Sequence, residues 1–391
     1  MLSNDPALSF AYMMLIAANT LNFFFLIPPN IQVLFQTPLI VYIASIHSLR
    51  LYCLTTDIQK EGVETMTKKD AMLFPVFAGS ALVGLFVLFK FFDPSLINML
   101  FHYYFTFIGT IVIAQFFYTR FSPYSSLSKQ TIFSIPKIPY LSEEPISIDV
   151  LYLILLGLSS VIGAGYYLTK HYYLNNIFGI FFSLIGIESF MVGSTSVGIL
   201  MLSLLFFYDI YFVFFTPIMV SVATNLDGPI KLMFPKIFEW EKKTDFNMIG
   251  LGDIVLPGIF VALTLRYDYL KTVQKMKQSN TNLVKDILGN YVVDFNFTNF
   301  KTFLTCFFGY VFGILSTLIV MNVFKAAQPA LLYLVPGVIL FSLLCSLIGG
   351  YFTDFYNFSE EDSLQSVLGI VTKKKEEEIK NETKSDDKKI N

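Results

Sequence analysis

Two carboxylates lie inside apolar runs long enough to cross a bilayer. Asp209 sits in Phe206-Phe207-Tyr208-Asp209-Ile210-Tyr211, and Asp253 in Gly250-Leu251-Gly252-Asp253-Ile254-Val255. An aspartate at the bilayer centre costs at least about 2.5–3.5 kcal/mol, so by default it faces a polar cavity and marks function. Two carboxyls held about 3 Å apart cannot both ionise; they share one proton and titrate as a pair. One can take a proton from water while the other donates to a carbonyl oxygen or a leaving amine. That chemistry hydrolyses a peptide bond without a covalent intermediate. On the residues alone, a proton or cation relay, or a polar contact between helices, stays open beside it.

Membrane helices must position this pair. Of the 391 residues 54% are hydrophobic and 14% charged, with a mean hydropathy of +0.62, whereas about a quarter of a soluble domain is charged. The chain reads as an all-α polytopic membrane protein. Segments near 31–53, 71–92, 95–118, 149–168, 176–193, 196–222, 247–265, 301–323 and 329–350 each approach the ~20 apolar residues of a span. Asp209 falls near the middle of the sixth and Asp253 early in the seventh. A polar hairpin of about Asn225 to Phe246 separates these two, so the spans are expected to be antiparallel neighbours.

Glycine and proline shape the surroundings. Gly250 and Gly252 strip side chains from the backbone before Asp253 and permit conformations closed to other residues. Gln328-Pro329-Ala330-Leu331 opens the ninth segment, with Pro329 where a first-turn proline is tolerated and Ala330 small enough for a close neighbour. Glu188 is a further intramembrane acid, read as a helix-pairing or cavity-lining group ahead of a catalytic one. Tyr267-Asp268, next to Arg266, reads as an interfacial anchor. Lys90 can snorkel to the boundary, and Tyr208 is expected on the wall of the site.

Charge asymmetry sets the expected orientation. One side carries Arg50, Lys60, Lys68, Lys69, Arg120, Lys129, Lys137, Arg266, Lys271, Lys275, Lys277, Lys285 and Lys301. The other carries Lys90, Lys170, Lys231, Lys236, Lys242, Lys243 and Lys325. The richer side, shared with the C-terminus, should be cytosolic, leaving the sequons at Asn296, Asn357 and Asn381 unglycosylated. The polar stretch 360–391 is expected to be a disordered tail. It ends in Lys388-Lys389-Ile390-Asn391, a dilysine address for retrieval to the endoplasmic reticulum by a coat receptor. The segment 1–30 is apolar to Pro28-Pro29 and has Asp5 but no early Lys or Arg. It reads better as an extra or half-inserted helix than as a cleaved leader.

Cys53, Cys306 and Cys345, and His47, His102 and His171, have no metal-ligand spacing. Neither metal nor cofactor is called for, and a net charge of -2 gives no sign of nucleic acid.

Tyr208-Asp209, Gly250-Leu251-Gly252-Asp253 and Pro329-Ala330-Leu331, in that order in a nine-span chain, resemble the intramembrane aspartyl proteases: the presenilins and the signal peptide peptidase family. Glu64 to Ala71, Asn175-Asn176-Ile177-Phe178-Gly179 and Gly228-Pro229-Ile230-Lys231-Leu232-Met233-Phe234-Pro235 favour the signal peptide peptidase branch. So does the short loop between the aspartate helices, where presenilins carry a long one. The resemblance covers about residues 31–358 and implies a nine-helix, presenilin-like bundle, with the 1–30 segment outside the pattern. It implies that Asp209 and Asp253 are the catalytic dyad, that Tyr208, Gly250, Leu251 and Gly252 belong to the active-site motif, and that Gln328, Pro329, Ala330 and Leu331 hold extended substrate. The implied substrates are signal-peptide remnants and some type II or tail-anchored membrane proteins, in the lipid of the endoplasmic reticulum. Homo-oligomerisation stays open. A carboxylate-based cation leak, or a non-proteolytic scaffold that retains substrate, is the alternative.

Overall fold

The computed structural model describes residues 6–25, 27–58, 66–135, 146–236, 246–278, 298–324 and 328–360. Its helices are α1 (Pro6–Phe24), α2 (Pro29–Ile58), α3 (Lys68–Phe91), α4 (Pro94–Phe121), α5 (Val150–Thr169), α6 (Tyr172–Ser189), α7 (Thr195–Phe214), α8 (Ile218–Asn225), α9 (Leu251–Gln278), α10 (Lys301–Phe324), α11 (Leu331–Ile348) and α12 (Phe352–Tyr356). Two antiparallel hairpins complete it: β1 (Thr131–Ile135) with β2 (Ile146–Asp149), and β3 (Lys231–Pro235) with β4 (Phe246–Gly250).

Local chemistry sets the helix starts. Thr67 and Asp70 form a reciprocal capping box on α3, Asp93 caps α4 ahead of Pro94 at the first helical position, and Ser194 caps α7. Each satisfies backbone N–H groups that a helix N-terminus leaves unpaired. Hydroxyls inside the helices turn back on the preceding turn: Thr37 donates to the Val33 carbonyl, Ser45 to Val41, Ser183 to Gly179 and Thr317 to Gly313. In lipid such a group must find its partner within the protein.

Seven helices, α2, α3, α4, α5, α7, α10 and α11, are long and apolar enough to cross a membrane by length and composition. The expected segments at 176–193 and 247–265 correspond to α6 and α9, which carry more polar residues because they lie inside the bundle. From Pro257 to Leu270 every residue of α9 is buried. Around it pack α2, α6, α10 and α11, with a slighter contact from α7. The outer helices instead expose large apolar side chains, Phe77 on α3, Phe107 on α4 and Val161 on α5 among them. A water-exposed domain seldom displays so much apolar surface, and lipid covers it here.

Cross-links give the helix directions. Asn247, in β4 just ahead of α9, donates to Asn30 near the start of α2, while Arg266 late in α9 donates to Ser48 late in α2. Hence α2 and α9 run parallel. Asn30 also reaches Asn322 at the end of α10, so α10 runs back. α10 and α11 approach backbone to backbone: a Cβ built on Gly309 would stand 2.4 Å from the Gly337 carbonyl oxygen, the small-residue packing that membrane helices use. α1 doubles back along α2, burying Leu8, Ala11 and Leu15 in the common core and hydrogen-bonding Tyr12 to His47.

Three features differ from the sequence expectation. The sixth segment is not one helix: α7 stops at Phe214, and α8 begins after Thr216-Pro217, where proline offers no N–H to continue the ladder. Asp209 therefore lies in the last third of its helix. The polar hairpin is a β-ribbon whose second strand runs into the seventh segment. Glu360, placed at the start of the tail, is instead 1% exposed and ion-paired; residues 361–391, with Lys388 and Lys389, lie outside the described residues.

Candidate active site

Asp209 is 2% exposed, and its Oδ2 accepts the backbone N–H of Leu331 at 3.1 Å. Leu331 is the first residue of α11, and Ala330 is its N-cap. The carboxylate thus sits at a helix N-terminus, where unpaired N–H groups and the helix dipole favour negative charge. Pro329 is buried at the same junction; having no N–H, it leaves Leu331 to make this contact. Gln328 is half-buried beside it.

Asp253 is reached from the β-ribbon. Gly250 closes the register of β4 opposite Lys231, the Leu251 N–H donates to the Ile230 carbonyl at 2.9 Å, and α9 starts at once, with Asp253 in its first turn. The Gly-Leu-Gly-Asp stretch is therefore a strand-to-helix junction. Neither glycine has a positive φ; among the described glycines only Gly350 does. What these two supply is space. A Cβ on Gly250 would stand 3.4 Å from Asp253 Oδ2, and one on Gly252 would meet nothing nearer than Leu256 at 3.9 Å. The conformational role expected for them is not the one the backbone uses. Leu251 packs against the core.

α7 ends, and α9 begins, at the β3–β4 end of the bundle, so the two helices are antiparallel there. Asp253 lies within Coulombic reach of Asp209. Among the described residues no Lys, Arg or His forms an ion pair with either carboxylate. Tyr208 precedes Asp209, about 100° round the helix. Its ring packs at a tilt on Phe212, 4.6 Å between centroids, and lies against Gly79 of α3.

The ribbon is clamped by α6. Asn176 receives the Met233 N–H at 2.8 Å and donates to the Met233 carbonyl at 2.7 Å, while Asn175 donates to the Lys231 carbonyl at 2.9 Å. These contacts close the outer edge of β3. By register, the backbone groups of Met248, paired with Met233, point to the opposite edge, on β4. The Lys231 ammonium donates to the Ala223 and Leu226 carbonyls and closes the C-terminus of α8.

Other acids are committed elsewhere. Glu188 pairs with Arg120 at 2.6 Å, and the guanidinium lies over the Phe116 ring, in keeping with the helix-pairing expectation. Tyr267-Asp268 is no interfacial anchor: Asp268 is 4% exposed and accepts the Phe303 N–H of α10 at 2.8 Å. Arg266 is fully buried on Glu360. Sequence reasoning missed that pair, because an arginine at the end of an apolar run reads as interfacial.

Comparison with known proteins finds one family over most of the chain. Residues 58–362 match the family described as Signal peptide peptidase. The chain is 37% identical over 307 residues to the human protein named Signal peptide peptidase, covering 76% of this chain and 75% of that one. To its mouse counterpart it is 36% identical over 330 residues, 82% and 80% of the two chains. It is also 41% identical over 214 residues to Intramembrane protease 2 of Caenorhabditis elegans, 53% of this chain and 42% of that one.

Proposed function

The chain belongs to the signal peptide peptidase family of multi-pass intramembrane proteases, and from that premise we propose that Asp209 and Asp253 hydrolyse peptide bonds as a coupled aspartyl dyad. The observation that carries this is a pair of carboxyls at one end of the bundle, within Coulombic reach of each other, with no cation on either among the described residues. Uncompensated carboxylates that meet at one site hold a proton between them. The ionised member takes a proton from water as the oxygen adds to the scissile carbonyl carbon. The protonated member gives its proton to the carbonyl oxygen, forming a gem-diol. As the diol collapses, one of its hydroxyls returns a proton to the member that had given one, the C–N bond breaks, and the amine leaves with the proton first taken from water. The Leu331 N–H holds Asp209 throughout.

A helical substrate hides its scissile bond, and unwinding frees amides that need new partners. The free edge of β4, leading straight to Asp253, supports a groove in which extended substrate pairs with the Met248 backbone, with Gln328, Pro329, Ala330 and Leu331 forming the opposite side. The substrates proposed are signal-peptide remnants and type II or tail-anchored segments. Lysine asymmetry supports a lumenal β3–β4 end and a cytosolic opposite end, and Lys388-Lys389 supports retrieval to the endoplasmic reticulum. The protease unit is taken as residues 31–350. The packing of α1 against α2 supports reading α1 as an additional retained helix; N-terminal sequencing of the mature protein should begin before residue 6, and a start near residue 30 would overturn this.

The dyad is tested by measuring release of a labelled fragment from a membrane-embedded signal peptide. Asp209→Asn and Asp253→Asn should each lower cleavage at least about 1,000-fold, the scale on which paired catalytic groups act. Undiminished cleavage by either variant sinks the proposal. A cation leak would instead show conductance that persists when a transition-state-mimicking inhibitor blocks hydrolysis.

A further inference from the structure

The end of the bundle far from the aspartates carries a second junction between the same two helices. Beyond α11 the chain turns through α12 and lays residues 358–360 across the start of α7. The Phe358 carbonyl accepts the Thr195 N–H at 3.2 Å and the Gly193 carbonyl accepts the Glu360 N–H at 3.0 Å, with Ser194 and Ser359 bridged antiparallel between them. On its other side Val192 is bridged to Met66. This strap supplies an acceptor to an N–H that the first turn of α7 cannot pair internally.

The same strap grips α9. Glu360 Oε1 accepts from Arg266 Nε at 2.6 Å, with side-chain exposures of 1% and 0%. Arg266 also donates to Ser48 of α2 at 2.5 Å, and Tyr52 donates to the Glu360 carbonyl at 3.3 Å. Phe355 and Phe358 pack edge-on against Tyr267 at 5.1 and 5.0 Å.

The grip points are matched along the helices. Asp209 lies fourteen residues beyond Thr195 and Arg266 thirteen beyond Asp253, about 20 Å in each case at 1.5 Å per residue. Since α7 touches α9 only slightly, packing instead on α3 and α11, the relative setting of the two aspartates depends on intermediaries. α11 is one, through Leu331. We infer that the strap is the other: Glu360 and Arg266 are positioning residues for the reaction, tying the far end of α7 to the middle of α9 so that the two carboxyls meet in register. This inference rests on the dyad reading.

The test measures kcat and KM on full-length protein for Glu360→Ala, alone and with Ser194→Cys and Ser359→Cys oxidised to a disulfide. Glu360→Ala should lower kcat at least about tenfold while KM changes less than about threefold, and capture by a transition-state-mimicking inhibitor should fall with kcat, because substrate grips the β3–β4 end while dyad register is lost. The disulfide holds the strap by another bond and should restore kcat to within about threefold, with reduction by thiol undoing the rescue. Unchanged kcat in folded Glu360→Ala, or no rescue by the disulfide, overturns the inference. Where Glu360→Ala does not fold, Glu360→Gln replaces it: with the ion pair reduced to a neutral hydrogen bond, kcat should fall by a smaller factor that the disulfide restores, and a parental kcat overturns the inference. Asp209→Asn and Asp253→Asn are assayed in the same membranes. Cleavage retained by them would remove the dyad and leave the strap's effect on kcat standing as a separate result.

Discussion

Four acids inside this bundle fall into two pairs that differ in what surrounds them. Glu188 and Glu360 each meet an arginine at 2.6 Å. Asp209 and Asp253 have no cation among the described residues; Asp209 takes only a backbone N–H. Removing an ion from water costs several kcal/mol, which a paired arginine offsets and a lone N–H offsets only in part. The first group joins helices: α4 to α6 through Arg120, and the strap to α9 through Arg266. The second, as the proposed dyad, is left with a proton to exchange. Among these four, the presence or absence of an arginine partner among the described residues separates the helix-joining acids from the proposed dyad.

That separation can be broken by mutation. The largest effect on activity is expected from the uncompensated pair: Asp209→Asn and Asp253→Asn should abolish cleavage with unfolding free energy unchanged or raised, since neither carboxyl has an ion-pair partner among the described residues. Arg120→Ala should do the reverse, stranding Glu188 and costing roughly 3–5 kcal/mol of stability. Denaturation in mild detergent, run beside the cleavage assay, checks both. Asparagine variants that unfold, or an Arg120→Ala protein as stable as the parent, would erase the distinction.

A finer probe is Leu331→Pro. Proline is accepted in the first turn of a helix, so α11 should still form, but Asp209 loses its N–H donor. A hydrogen bond to a charged group contributes about 1.5–3 kcal/mol, so kcat should fall roughly 10- to 150-fold with little change in KM. Leu331→Ala, which keeps the N–H and also loses the side chain, should fall less. Equal losses in the two variants would assign the effect to packing.

Much of this site was legible in the sequence because lipid makes polar residues conspicuous. Asp209 and Asp253 stood out by cost alone, and Pro329-Ala330-Leu331 marked a helix start that does abut Asp209. The nine apolar segments correspond to α2–α7 and α9–α11. What stayed hidden was geometry that hydropathy does not encode. The apolar run 196–222 gives little sign of the break at Thr216-Pro217, and the β-ribbon needed Asn175 and Asn176 of a distant helix to close its edge. Glu360 was placed in the tail because its partner, Arg266, is 94 residues away. Arg266 in turn passed for an interfacial residue, since a charge near the end of an apolar run looks the same whether it faces headgroups or a buried glutamate.

The smallest effect concerns a group that works only when uncharged, and it extends the comparison from acids to a base. His171 caps α6, its Nδ1 accepting the Tyr173 N–H at 3.2 Å. Partial burial holds its pKa below the ordinary 6.5, so the folded state favours the neutral ring. The stabilisation is therefore present above pH 6.5 and is lost as pH falls through the lower folded value, where a protonated Nδ1 can no longer accept. A helix cap contributes about 0.5–2 kcal/mol; between pH 8 and pH 5 the parent should lose an amount near the low end of that range relative to His171→Asn, whose amide oxygen caps without titrating. Because α6 carries the Asn175-Asn176 clamp on the β-ribbon, the same acid shift should loosen the ribbon ahead of Asp253, read as faster amide exchange at Met233 in the parent than in His171→Asn. Identical pH dependence in the two proteins would show that the cap does not depend on the charge of His171.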